Sequence, residues 1–365
     1  MEALAAVSHE TGKMGIEKID VAEPKSGEIA VKMVACGVCH TDAAGLHQIF
    51  PVPFPAIYGH EGVGIVDKVG ENVTNVAVGD RVVMTFPSCG VCPSCVDGHP
   101  YACDHMLELF WGGRMSDGTT PYSQDGVPVS TFFGQGSFST YTVVQARNVV
   151  KVDIDSDKEL ANLCSLGCGV QTGVGAVLHG LKAEPNGSIA VFGAGGVGMA
   201  AIMGAKLAGC YPIIAVDVVP SRLELAKEIG ATHTVNGKEV DAVEEIRKIT
   251  KGGAHYSVES SAVPALTLQA LDCLRKRGKA CQVSVTGPAT IELPIEPLIL
   301  SKNVTYFGLA EGASNPPVFI PELVAYYKQG RLPVEKLVTL YDFKDIDKAF
   351  EDSHTGVAIK PILVF

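Results

Sequence analysis

Apolar and polar positions fall into two textures along the chain. Up to about residue 165, apolar residues come in short runs broken by glycine and aspartate, as in EIAVKMVACGVC, GVGIVDKVG and DRVVMTF. Runs of that length between turn residues predict short strands. LELFWGG and TFFGQGSFSTY, between about 105 and 140, mix glycine, serine and aromatic residues with little helical periodicity. They predict loop and strand that could line a pocket. Beyond 165 the rhythm changes. SIAVFGAGGVGMAAIMGAKLAGC reads as a buried strand, a glycine turn and an apolar helix, and IIAVDV as a second buried strand. SRLELAKEIGA comes next, with Leu223, Ala226 and Ile229 on one helical face. The alternation continues through VDAVEEIRKIT, HYSVESS, LTLQALDCLRKRGKACQVSV and NVTYFG. Strand–helix alternation of this kind predicts an α/β chain with a doubly wound parallel sheet. The closing AIKPILVF is extended, and no internal repeat stands out.

Length adds a second domain. The chain has 365 residues, where one ordinary domain takes about 100–200. Charge excludes a class of partner: 40 acidic against 29 basic residues leave a net charge of −11, without the basic footprint of a nucleic-acid binder. No stretch reaches the roughly 18–20 apolar residues that span a bilayer. The N-terminus lacks a basic region followed by an apolar one, so a cytoplasmic, membrane-free protein is expected. In that reducing compartment, eleven cysteines are not expected to form a disulfide framework.

The sequence Gly193-Ala-Gly195-Gly196-Val197-Gly198 fits G-x-G-x-x-G after an apolar strand and before a helix. The first glycine allows the tight turn, the second lets backbone approach a pyrophosphate, and the third permits close helix packing. Asp217 ends the next strand, 24 residues after Gly193. A carboxylate there accepts from the adenosine ribose and repels a 2′-phosphate, which predicts NAD over NADP. The plainer alternative is an aspartate that merely ends a strand.

Cys89, Cys92, Cys95 and Cys103 give Cys-x2-Cys-x2-Cys-x7-Cys. Four thiolates at that spacing can close around one tetrahedral zinc of structural role. An iron–sulfur cluster or four unconnected thiols are the alternatives. Cys39 in GVCHTD, His60 and Glu61 in GHEGVG, and Cys168 in LGCGVQTG are further metal-ligand types. Taken singly, each reads equally well as a buried thiol, a core histidine or a solvated glutamate.

GVCHTD, GHEGVGIVDKVGENV, the four-cysteine lobe, Cys168 and GAGGVG occur in the order that resembles zinc-containing medium-chain alcohol dehydrogenases. The resemblance spans essentially the whole chain. It implies a GroES-like β-rich catalytic domain over 1–168 and 309–365, with the zinc lobe at about 88–104, and a Rossmann domain over 169–308. It implies that Cys39, His60 and Cys168 hold a reacting zinc, with Glu61 close by, in addition to the lobe zinc. The implied chemistry is reversible hydride transfer between an alcohol and NAD, with the metal acidifying the alcohol. By the same resemblance Asp42 orients the histidine and Thr41 hydrogen-bonds the substrate oxygen, unless it only caps a helix. His40 and Lys360 correspond to pyrophosphate contacts, Arg222 to an adenosine-ribose contact, and Thr172 and Val197 to positions near the nicotinamide.

One position departs from many family members. Ala44 stands where they carry a histidine that ends a proton relay, and His47 is a candidate replacement. CGVQTG, FFGQGSFSTY and KPILVF resemble the aryl-alcohol (benzyl alcohol) and allylic geraniol dehydrogenase branch. A small apolar alcohol or aldehyde is the implied substrate. Phe50, Phe86, Phe110 and Trp111 are candidate pocket walls, or else core filler. The alternatives are a glutathione-dependent formaldehyde, polyol or aliphatic-alcohol enzyme, or a non-catalytic nucleotide-binding protein. The resemblance also implies a homodimer or homotetramer.

Overall fold

The computed structural model describes residues 1–365. The backbone divides into two units, one of Met1–Cys168, Asn315–Gly330 and Val334–Phe365, the other of Gly169–Ser314 and Arg331–Pro333. No helix is long and apolar enough to cross a membrane.

The first unit is built on β-structure, as the short apolar runs predicted. A closed barrel joins Glu2–Glu10, Lys13–Val21, Tyr122–Gln124, Val127–Thr131 and Ala56–Ile57. Beside it lies a seven-stranded sheet ordered Val149–Lys151, Arg81–Met84, Glu61–Val69, Glu28–Gly37, Lys360–Val364 and Val338–Asp342, with Tyr141–Gln145 also paired to Glu28–Gly37. EIAVKMVACG is apolar at nearly every position and is buried along most of its length, as expected of a strand covered on both faces. The end of this strand is held from both sides. Gly37 pairs with Glu61 on one side and with Ile362 on the other.

The second unit is a six-stranded parallel sheet ordered His233–Asn236, Ile213–Asp217, Ile189–Phe192, Ala254–Glu259, Leu274–Gln282 and Thr305–Gly308. The order reverses between Ile189–Phe192 and Ala254–Glu259, and ligands of such sheets bind beyond the strand ends at that switch. Helix Pro220–Ile229 buries Leu223, Ala226 and Ile229, the three positions its pattern placed on one face.

Two local expectations need correction. LELFWGG lies largely in a helix, Met106–Trp111, rather than a loop. At six residues it makes under two turns of about 3.6 residues, too few for periodicity to register. The chain also returns to the first unit at Asn315, not 309. Leu309 still donates to Gln282 in the parallel sheet. Gly312 lies so close to helix Gly169–Gly175 that a Cβ on Gly175 would sit 2.2 Å from its carbonyl oxygen.

Candidate active site

The strand pairing at Gly37 gathers residues that are remote in sequence. Cys39 lies just beyond strand Glu28–Gly37, as N-cap of helix His40–Leu46. His60 and Glu61 stand at the start of Glu61–Val69. Cys168 ends the tight turn Cys164–Gly167. One ligand atom from each of Cys39, His60, Glu61 and Cys168 falls within 4.8 Å of all the others.

Asp42 organises this cluster. Its Oδ1 accepts from Gly59 N at 3.0 Å and from His60 Nδ1 at 2.8 Å, and its Oδ2 accepts from Cys39 N at 3.0 Å. The carboxylate is fully buried. With Nδ1 engaged there, Nε2 faces the cluster, 3.3 Å from Cys168 Sγ. Burial opposes a charge on His60, but Asp42 outweighs it and holds the imidazole pKa above its usual value. Contact with Cys168 lowers the Cys39 thiol pKa against the cost of burial, and Lys360 and His60 add to the lowering. Thiolate is the form that binds metal.

Lys360 arrives on the last strand and donates to both carboxylate oxygens of Glu61, at 2.9 and 2.8 Å, with both side chains buried. Sequence reasoning did not pair them. Burial pushes the Glu61 pKa up and Lys360 resists that rise. Thr41 Oγ1 lies 3.7 Å from Cys39 Sγ. His40 and His47 are exposed at the two ends of the same short helix, and Ala44 is half-buried between them.

The four lobe cysteines converge as well, with all four sulfurs within 4.8 Å of one another. Cys89 and Cys95 sulfurs are 3.9 Å apart, and those of Cys92 and Cys103 are 4.0 Å apart. A tetrahedron with metal–sulfur bonds of about 2.3 Å has edges of about 3.8 Å, so the donor set fits a closed metal site. Backbone N–H groups of Val91 and Cys92 donate to Cys89 Sγ. Against the cost of burial, they bring that thiol down to about 6. All eleven cysteines are free thiols.

In the nucleotide unit, Gly193 has φ +89°, and a Cβ on Gly198 would sit 1.8 Å from the Gly193 carbonyl oxygen. Neither position admits a side chain without moving the backbone. A Cβ on Gly195 would meet open space, at the N-terminus of helix Gly196–Leu207, where free N–H groups suit a phosphate. Asp217 Oδ2 accepts from Ala194 N at 2.6 Å, and its Oδ1 from Val218 N and Val219 N at 2.7 and 2.9 Å. A carboxylate offers about four acceptor sites, so Oδ2 retains one for a ribose hydroxyl. Arg222 Nε is buried without a hydrogen-bond partner, an orphan that a bound adenosine could satisfy. Thr172 is buried on helix Gly169–Gly175. That helix packs so closely on Gly196–Leu207 that a Cβ on Gly173 would lie 2.2 Å from Val197 O.

Aromatic rings pack in a continuous series up to the His60 ring. Phe50 stacks on Trp111 at 4.5 Å, and Trp111 meets Phe132 edge-on at 5.4 Å. Phe132 contacts Phe133 at 4.7 Å, and Phe133 lies 4.6 Å from the His60 ring. Phe110 stacks behind Phe133 at 4.1 Å. Of the four expected wall residues, Phe50 and Trp111 keep exposed faces, whereas Phe86 and Phe110 are buried in the core. Phe132 and Phe133 were not singled out individually. Phe133 adopts φ 52° and ψ 29°, a left-handed conformation unusual for a bulky residue. No sequence pattern announces it, although FFGQG marks the turn.

Residues 25–154 match the family described as alcohol dehydrogenase GroES-like domain, and residues 196–325 that of zinc-binding dehydrogenase. Geraniol dehydrogenase of Castellaniella defragrans is 39% identical over 100% of this chain and 98% of its own length. S-(hydroxymethyl)glutathione dehydrogenase of Synechocystis sp. is 37% identical, with both chains covered in full. The crystal structure of benzyl alcohol dehydrogenase from Acinetobacter calcoaceticus superimposes with a TM-score of 0.96 at 40% identity, covering 100% of this chain and 99% of the other. The likeness runs from end to end, and the chain belongs to the zinc-binding alcohol dehydrogenase family.

Proposed function

We propose that this protein reversibly oxidises primary aryl or allylic alcohols to aldehydes, using NAD and two zinc ions per chain. The aromatic wall from Phe50 and Trp111 to the His60 ring carries the reading. Phe50 and Trp111 offer a flat apolar substrate partly exposed ring faces, backed by the buried Phe132 and Phe133 that pack against His60. The names of the geraniol and benzyl alcohol relatives support it.

Cys39, His60 and Cys168 would hold the reacting zinc, which would supply Lewis acidity, and bound NAD would supply the hydride acceptor. The chain's own groups do the rest. Asp42 keeps Nε2 of His60 turned inward. Thr41 Oγ1 hydrogen-bonds the substrate hydroxyl and relays its proton to solvent water. Lys360 neutralises Glu61, so the buried carboxylate does not stand uncompensated. The turn at Gly193–Gly198 takes the pyrophosphate, and Asp217 selects NAD. Cys89, Cys92, Cys95 and Cys103 hold the second zinc, away from the reaction.

The test is steady-state kinetics with benzyl alcohol, geraniol, ethanol and S-(hydroxymethyl)glutathione, each with NAD and NADP. The expected kcat/KM with NAD is at least about 100-fold higher for the first two than for ethanol, the scale that apolar pocket contacts provide. Trp111→Ala should cost about tenfold with benzyl alcohol, from a lost aromatic contact, and leave ethanol unchanged. A preference for ethanol, or for NADP, would overturn the corresponding part. Highest activity with S-(hydroxymethyl)glutathione would favour the second reading, for which the Synechocystis relative speaks.

Assembly is inferred from the sheet edge. Strand Thr305–Gly308 ends the six-stranded sheet, with Thr305 and Tyr306 exposed. An open edge pairs readily with another strand, and a second copy of this chain supplies one by symmetry. Light scattering should give two or four chains per particle, and a monomer at assay concentrations would refute this.

A further inference from the structure

His60 and Cys168 must meet within one coordination sphere although 108 residues separate them. The strand pairing that sets Gly37, just before Cys39, against Glu61 does not reach the turn before Cys168. A chain of buried side-chain hydrogen bonds does. Thr85 Oγ1 donates to Gly167 O at 3.1 Å, next to Cys168. Thr85 O accepts from Gln135 Nε2 at 2.9 Å. Gln135 Oε1 in turn accepts from Gly62 N at 3.5 Å, next to Glu61, and from Ser137 Oγ at 3.0 Å. Ser137 N closes the other side by donating to Gly59 O at 2.9 Å, next to His60. Thr85, Gln135 and Ser137 are all buried, so water cannot replace a lost member.

The amide of Gln135 suits this place for a definite reason. It faces an obligate donor, Gly62 N, and an obligate acceptor, Thr85 O, and a carboxamide serves both from one planar group without a change of protonation. Its backbone is anchored separately, because Tyr122 Oη donates to Gln135 O at 3.0 Å. Neither Gln135 nor Thr85 has a ligand atom in the metal cluster.

We infer that Gln135 and Thr85 are positioning residues that set the separation between the His60–Glu61 segment and the Cys168 turn, and thereby the affinity of the reacting metal site. The inference rests on the proposal that Cys39, His60 and Cys168 hold zinc. The lobe provides an internal control, since its four ligands share none of these bonds, although Cys89 follows Thr85 closely in sequence.

The test uses the full-length protein carrying both zinc ions. Thr85→Val removes the hydroxyl at nearly constant shape, Gln135→Leu removes the amide, and Thr85→Ser keeps the hydroxyl. Zinc release to a chromophoric chelator is followed in time, together with the visible spectrum of protein whose reacting site is loaded with cobalt. Thr85→Val and Gln135→Leu should weaken metal retention at one site about 10–100-fold, the range seen when groups supporting metal ligands are removed. They should also shift the cobalt–thiolate bands. The other metal should leave at the wild-type rate, and Thr85→Ser should restore both signals. Wild-type release and spectra in both variants would overturn the inference, as would loss of both metals together. A wild-type protein that binds only the lobe metal would overturn the underlying function reading, and this inference with it.

Discussion

Replacing Cys168 with alanine is expected to lower kcat/KM by at least about 1,000-fold and to reduce the zinc content from two ions per chain to one. A Lewis acid at a reacting oxygen contributes several kcal/mol, and each 1.36 kcal/mol is tenfold in rate, so the loss of one thiolate ligand is not a small perturbation. His60→Ala should match that loss of rate and metal, and differ in stability. It takes the imidazole from Asp42, a fully buried carboxylate that keeps only the Gly59 and Cys39 backbone donors. A lost hydrogen bond to a buried charged group costs about 1.5–3 kcal/mol, so the melting temperature should fall by several degrees in His60→Ala and little in Cys168→Ala. Elemental analysis, kinetics and calorimetry on the two variants read all three quantities. Full activity in Cys168→Ala would remove this thiolate from the chemistry altogether.

Two glycines of one turn should fail in different ways. A methyl on Gly198 would sit 1.8 Å from the Gly193 carbonyl oxygen. That atom is backbone at the end of a central strand, so Gly198→Ala must push the helix off the sheet. Overpacking of this kind costs about 1–3 kcal/mol or more, and both thermal stability and NAD binding should suffer. At Gly195 the same methyl meets open space. Gly195→Ala should therefore fold and melt like the parent, yet bind NAD at least about tenfold more weakly, because the methyl fills room the pyrophosphate needs. Calorimetric titration with NAD, alongside melting curves, separates the two. Unchanged NAD affinity in Gly195→Ala would place the cofactor elsewhere.

What could be read from the chain depended on how local each feature is. GAGGVG and the four lobe cysteines are complete within a few turns of backbone, and spacing alone announces them. The reacting cluster is different in kind. Cys39, His60 and Cys168 come together through the antiparallel register at Gly37 and Glu61 and through buried side-chain bonds, none of which is written in any short window. Resemblance to a family supplied that set, whereas residue chemistry alone left each member with an ordinary reading. The Lys360–Glu61 pair, 299 residues apart, escaped even the resemblance, which pointed Lys360 at the cofactor. Phe133 escaped because a left-handed backbone on a large residue is imposed by its surroundings rather than by its own preference.

The Lys360–Glu61 pair also bears on the order in which the molecule can be made. Synthesis begins at the amino end, so the lobe cysteines leave the ribosome early and as a group. Strand Lys360–Val364, which pairs with Ala35, Cys36 and Gly37, leaves it long after them. Until then strand Glu28–Gly37 has an open edge over that stretch, and Glu61 lacks the cation that accompanies it into the core. The emerging chain can thus complete its lobe long before its reacting centre. The interval in between is when an unpaired edge and a solitary carboxylate most need shielding from other chains.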